Sequence, residues 1–292
     1  MKGSNGAGGR ERVIRFALFA MASISIFSVL LILLFIFKES LPAIRSQGFT
    51  LLTTNWSPNV SDPSAGSYGM LAFLNGTILT TLGGMALGAP LGVGTAVFII
   101  QIAPERIEGI LRRGIEMLAG IPSVIIGWFG LTLLVPYIAR VTGTSGYGIL
   151  AASIVLAVMV LPTVVVLSME ALKSLPHELE EASLAMGATR WQTIRHALLP
   201  AARRGILVAV ILGMGRAIGE TMAVQMVVGN ARQLAFSLTE RTSTLTSRII
   251  TDMGESTGVF RSALFAQGLV LLLLVMLLIL GVKLVSRDKK VK

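Results

Sequence analysis

Six separate stretches of this 292-residue chain are apolar enough, for long enough, to lie in hydrocarbon, and that limits the fold more than any motif does. Phe16–Phe37 carries no charge at all. At about 1.5 Å per residue it covers the roughly 30 Å of a bilayer core. Leu71–Ala103, Met117–Ala139, Tyr147–Met169, Gly205–Asn230 and Ser262–Val282 are the other candidates. Charged residues make up only 14% of the chain, whereas a soluble domain has about 25%. The sequence therefore predicts an all-α integral membrane protein with six transmembrane helices. The first span is longer than the apolar core of a secretory signal and no A-x-A site follows it, so it is expected to remain attached. The Gly-rich stretch Gly3–Gly9 before it is expected to be disordered.

The net charge of +10 is explained by its distribution. With the amino terminus inside, seventeen of the 25 Lys and Arg fall in cytoplasmic segments and seven outside, leaving Arg216 within a span. The positive-inside rule then puts both termini in the cytoplasm of a multi-pass membrane protein, and no nucleic-acid partner is needed to account for the charge. This gives a cytoplasmic tail over 1–15, a first span over 16–37 and an outer loop over 38–70. A five-helix body over 71–285 follows, holding a cytoplasmic segment at 170–204 and an outer loop at 231–261, and a basic tail closes the chain at 286–292. Both outer loops are long enough to receive a partner, or to be solvated connectors.

Arg216 and Glu220 are charges inside an apolar span. One charge at the bilayer centre costs roughly 2.5–3.5 kcal/mol, so such groups face the bundle interior or a wet path. Four residues apart on a helix they share a face, which makes them a candidate solute path or a structural ion pair. Thr77 and Thr81 also share a face and are candidates to line that path, although membrane threonines often bond only their own backbone. Pro90 among several glycines is expected to kink or divide the second span. Gly84, Gly88 and Gly92, at steps of four, are expected to let another helix approach closely. Gly120, Pro122, Gly127, Gly130 and Pro136 predict a broken third span.

Between the fourth and fifth spans lies a patterned segment, Glu170–Arg204. Pro176 opens a helix with Glu178, Glu180 and Glu181 at its positive end, Gly187 breaks it, and Thr189 with Gln192 forms a capping box for a second helix that ends before Pro200. Within it stand Glu181-Ala182-Ser183, then Gly187, then Ala197-Leu198-Leu199-Pro200. This resembles the E-A-A, G, I-x-L-P loop of permease subunits of bacterial ABC importers, with Ser183 and Ala197 as departures. Asn55-Trp56-Ser57-Pro58, Tyr68-Gly69, Asn75-Gly76-Thr77-Ile78-Leu79-Thr80, Gly120-Ile121-Pro122-Ser123-Val124-Ile125-Ile126-Gly127 and Arg216-Ala217-Ile218-Gly219-Glu220-Thr221-Met222-Ala223-Val224 are similar to the PstC-type branch, the phosphate permeases.

The resemblance implies a type I importer permease of MetI-like fold that moves inorganic phosphate and is not itself an enzyme. Its implied partners are a PstA-type second permease, two PstB-type ABC ATPase subunits that bind the ATP, and a PstS-type extracytoplasmic phosphate-binding protein, all acting in membrane lipid. Glu181, Ala182, Gly187, Leu199 and Pro200 are the implied ATPase-coupling residues. The chain has no G-x-x-x-x-G-K-[ST] stretch for binding nucleotide by a P-loop. No His, Asp and Glu cluster has metal-ligand spacing, so neither a cofactor nor a metal is expected.

Three rival readings remain at this level. A permease for phosphonate, sulfate or molybdate is opposed only by the branch motifs. A secondary transporter also uses broken helices and intramembrane charges, but has no use for the docking segment. Gly143-Thr144-Ser145-Gly146 matches the serine motif of rhomboid proteases, yet His177 and His196 fall on the opposite side of the membrane from Ser145. A turn is the simpler account of that tetrad.

Overall fold

The computed structural model describes residues 5–59, 62 and 65–286. Six helical spans of sufficient length and apolarity occur among them: Ile14–Gln47, Leu71–Ile102, Ser123–Thr142, Ile149–Lys173, Arg190–Gly219 and Gly258–Leu284. The chain starts with α1 (Asn5–Gln47), whose first turns occupy part of the stretch expected to be disordered. The long apolar run after it carries the helix backwards through residues of poor propensity. Gly3, Ser4 and the basic tail beyond residue 286 lie outside the described residues.

After α1 come α2 (Thr50–Thr53) and a two-stranded hairpin, β1 (Trp56–Ser57) and β2 (Ser67–Tyr68), with Trp56 opposite Tyr68. The second span is α3 (Leu71–Val97), which finishes in a π turn over Phe98–Ile102. Of the two outcomes expected at Pro90, a kink or a division, the division does not occur: one helix runs through it. Membrane helices tolerate an internal proline where neighbouring helices, hydroxyl side chains or local adjustments satisfy the freed carbonyl.

Beyond it lie α4 (Glu105–Gly120), a break at Ile121 and Pro122, α5 (Ser123–Phe129), a π turn over Gly130–Leu134, and α6 (Val135–Thr142). The third span is thus broken as expected, but it starts at Ser123 and not at Met117, which belongs to α4.

The fourth span, α7 (Ile149–Lys173), is the central post: two thirds of its most apolar window is buried. A helix apolar on all sides requires such surroundings. The glycines of α3 pack against it in register. A Cβ at Gly84 would meet Leu156 at 2.8 Å, one at Gly88 would meet Val160 at 2.6 Å, and one at Gly92 would meet Val164 at 2.8 Å. Every four-residue step on α3 answers a four-residue step on α7 in the same direction, so the two helices run parallel.

From α7 the chain enters α8 (His177–Ala185), turns at Gly187, and resumes in α9 (Arg190–Thr193). A π turn over Ile194–Leu198 joins α9 to the fifth span, α10 (Leu199–Gly219). The second helix of the segment is therefore not short: Pro200, at the start of α10, extends it where the sequence led us to expect an end. The fifth span closes at Gly219, short of Asn230, and a separate α11 (Met222–Val227) follows. The last elements are α12 (Leu245–Met253) and the sixth span, α13 (Gly258–Ser286).

Successive spans alternate in direction. One end of the bundle, the knob end, carries α4 and α8; the other, the loop end, carries the two long connections. Those connections are folded, not loose. Trp56 lies edge-on to Tyr68, Phe73 and Phe260 with ring centroids 5.3–5.8 Å apart. Its Nε1 donates to Asp252 Oδ2 at 3.0 Å.

Candidate solute path and docking knob

Arg216 stands on α10, and its Nη1 donates to Thr163 Oγ1 of α7 at 3.0 Å. Thr163 lies fourteen residues past Ile149 in a helix ending at Lys173, which puts it about 21 Å from the loop end and about 15 Å from the knob end. The guanidinium is thus held near mid-depth. It is exposed on the surface of the chain, and four of its five N–H donors have no partner among the described residues. Lipid is a poor neighbour for such a group, so this face of α10 must meet water or another protein chain.

Glu220 is not its partner. The helix ends at Gly219, and Glu220 takes an extended conformation with φ −70° and ψ 127°, so the shared helix face expected from a spacing of four is lost. Its Oε1 accepts the Ala223 N–H at 3.3 Å, one of the free donors at the start of α11, and its carbonyl accepts the Thr246 hydroxyl at 3.1 Å. The two charges bracket a helix break instead of forming a pair.

Thr77 and Thr81 also differ from expectation. Both are 3% exposed, so neither lines an open path here. Thr77 Oγ1 donates to Phe73 O at 2.7 Å and accepts the Leu245 N–H at 3.0 Å, which ties α12 to α3. Its neighbours do the same work: Asn75 Oδ1 accepts the Ala235 N–H at 3.2 Å, and the bare face of Gly76 lets the Ser243 carbonyl approach. Asn75-Gly76-Thr77 is therefore the seat of the second long connection. Thr81 Oγ1 is buried without a partner among the described residues.

Sequence reasoning missed two features. Thr163 was hidden in an apolar span behind Pro162, where only its hydroxyl distinguishes it. The other is the ion pair of Arg248 Nη1 with Asp252 Oδ1 at 3.0 Å, which the i, i+4 spacing within α12 offered as a signal. Arg248 is 2% exposed and also donates to Asn230 O and Ser243 Oγ, both at 2.7 Å, while its guanidinium lies 5.1 Å from the centre of the Phe73 ring. Burial pulls its pKa below the ordinary arginine value, and Asp252 opposes that shift.

At the knob end, Thr189 and Gln192 form the expected capping box, Gln192 N donating to Thr189 Oγ1 at 3.3 Å and Thr189 N to Gln192 Oε1 at 2.8 Å. Gly187 has φ +84°, a conformation that other residues adopt only under strain. Glu181, Ala182, Gly187 and Pro200 are exposed, while Leu199 is half-buried. Met186 and Trp191 project 89% and 59% of their surface outward. Beneath, Ile194 and Leu198 pack on Val165, Met169 and Leu172 at the end of α7, so the knob is braced on the central post. Lys173 Nζ bonds Glu108 Oε1 of α4 at 2.7 Å beside a cavity of about 630 Å³.

The model of the family described as binding-protein-dependent transport system inner membrane component matches residues 88–291. A probable ABC transporter permease protein, YqgH, of Bacillus subtilis is 46% identical over 82% of this chain and 78% of its own length. The phosphate transport system permease protein PstC of Xylella fastidiosa strain Temecula1 is 36% identical over 78% of this chain and 76% of its own. The PstC of Haemophilus influenzae is 32% identical over 94% and 92%. Among solved structures, a chain of a bacterial alginate ABC transporter superimposes with a TM-score of 0.65 over 95% of this chain and 96% of that one, at 17% identity. A chain of the MetNI methionine ABC transporter does so with 0.54 over 75% and 95%, at 24% identity. The fold is that of ABC importer permeases, of the MetI-like kind.

Proposed function

Because this chain belongs to the family of binding-protein-dependent transport system inner membrane components, we propose that it is the PstC-type permease subunit of an ATP-driven importer of inorganic phosphate. The observation that carries the proposal is Arg216, a cation near mid-depth with most of its donors unused, on a chain whose relatives over most of its length are named as phosphate permeases. A guanidinium fork matches phosphate oxygens and keeps its charge at any working pH. The exposed face around it is where a PstA-type second permease closes the path.

Substrate arrives from a PstS-type binding protein at the loop end. The knob, with Glu181, Ala182 and Gly187 at its bend and Leu199 and Pro200 where it joins α10, docks on one of two PstB-type ATPase subunits, which bind the ATP. Support for this comes from the apolar surface of Met186 and Trp191 and from the bracing of the knob on α7. The excess of Lys and Arg at the knob end supports a cytoplasmic position for that end and for both chain termini.

The experiment is purification of the tagged chain from its own membranes, followed by phosphate uptake with wild type and Arg216→Gln. We expect an ATPase, a second permease and a phosphate-binding protein to accompany it, and uptake to fall at least about tenfold in the variant while the complex still assembles. A complex that carries sulfate or molybdate in place of phosphate, or full uptake by Arg216→Gln, contradicts the proposal.

A further inference from the structure

Five threonines of the spans share a habit that Thr163 does not follow. Thr77, Thr80, Thr95, Thr132 and Thr142 each return the hydroxyl proton to the carbonyl four residues back, at 2.7–2.8 Å. This is the ordinary way for a membrane helix to satisfy a hydroxyl. Thr163 makes no such bond among the described residues. Its Oγ1 accepts from Arg216, and its proton has no acceptor among the described residues. Thr163 is half-buried, so the hydroxyl is reachable from the face on which Arg216 lies.

A hydroxyl that accepts from a cation becomes a better donor, since the two hydrogen bonds polarise one another. Beside an arginine with four N–H groups that have no partner among the described residues, this O–H adds one more donor at the same place. An oxyanion is the ligand that needs donors alone, and a tetrahedral one has oxygens enough to take a bond from both side chains.

We propose that Thr163 is a specificity-determining residue of the translocation path, which fixes Arg216 at mid-depth and donates a hydrogen bond from its hydroxyl to an oxygen of the passing phosphate. The proposal rests on the phosphate reading above. Thr163 adds a directional, neutral contact to a charged one, so the anion is recognised by shape as well as by sign. A neutral donor also holds the anion less firmly than a second cation does, which suits a site that has to release.

The test uses the whole importer in proteoliposomes, with phosphate-loaded binding protein outside and ATP inside, for wild type, Thr163→Val and Thr163→Ser. Valine keeps the shape and removes the hydroxyl; serine restores the hydroxyl. We expect Thr163→Val to lower turnover by about tenfold or more, the loss of one hydrogen bond to a charged partner, with the KM for loaded binding protein within about twofold of wild type. Thr163→Ser is expected to recover most of the turnover. If valine prevents assembly, Thr163→Ala replaces it with the same expectation. Full turnover in an assembled hydroxyl-free variant, or a serine variant as slow as valine, overturns the role of Thr163 and leaves the phosphate reading standing. A wild-type complex that moves no phosphate overturns both.

Discussion

Two arginines in this chain meet opposite fates, and the contrast separates structure from function. Arg248 is sealed in by Asp252, Asn230, Ser243 and the Phe73 ring, whereas Arg216 has only Thr163 among the described residues. Removing one partner of a buried ion pair leaves the other charge uncompensated, which costs on the order of 3–5 kcal/mol. Asp252→Ala is therefore expected to lower the midpoint of unfolding in an SDS titration followed by tryptophan fluorescence, because Trp56 also loses its acceptor on Asp252. Arg216→Gln is expected to leave that midpoint where it is while uptake falls at least about tenfold. An unchanged midpoint in Asp252→Ala would mean that the pair does not hold the loop end together. Arg216 was legible in the sequence because a charge stands out in an apolar run. Its partner was not, because the expected pairing with Glu220 assumed a helix that continues through Gly219. Glycine gives no warning: Gly84, Gly88 and Gly92 sit inside an intact helix and Gly219 ends one, and the difference lies in whether Thr246 and Ala223 are at hand to bond the residue that follows.

Among the elements, the α3–α7 contact and the knob carry the argument. The parallel register of Gly84, Gly88 and Gly92 with Leu156, Val160 and Val164 leaves no room for a side chain on that face of α3. Gly88→Leu is expected to prevent assembly of the complex, whereas Gly94→Ala, with nothing within 4 Å of its new methyl, is expected to assemble as wild type; blue-native electrophoresis of solubilised membranes distinguishes the two. Equal yields of complex from both variants would contradict the packing described. At the knob, Gly187→Val forces a branched side chain into a left-handed conformation at a cost of roughly 1–2 kcal/mol or more. The expected result is loss of ATPase recovery on the tagged chain, or ATP hydrolysis that no longer drives uptake; normal recovery with normal uptake would remove the coupling role. The glycine register, the capping box and the turn at Gly187 were all readable in advance, since each is a local rule with a fixed spacing. The continuity of α9 into α10 through a π turn was not, because Pro200 signals a helix start and a helix end equally well until the preceding turn is known.

The whole molecule is a central apolar post with three attachments. The knob is braced on one end of α7, a folded layer of connections covers the loop end, and an arginine near mid-depth looks out of the bundle between them. Span number followed from composition and length alone; the first helix runs ten residues past the expected end at Phe37, into the stretch assigned to the outer loop, and the other spans fell within a few residues of their sequence ranges except where glycine, proline or a π turn moved an end. The folded state of the long connections was not legible, because Trp56, Tyr68, Phe73 and Phe260 come from four elements and only the fold brings them together. At this scale the arrangement fits the proposed half of a transport path, with the knob as its mechanical contact on one side and the folded connections as its delivery surface on the other. Its most direct test is accumulation of radiolabelled phosphate in sealed vesicles that contain this chain, its second permease and its ATPases, supplied with loaded binding protein. Phosphate should collect against its gradient when ATP is present on the knob side and not when ATP is withheld. Accumulation that persists without ATP, or that follows an imposed ion gradient instead, would contradict the account.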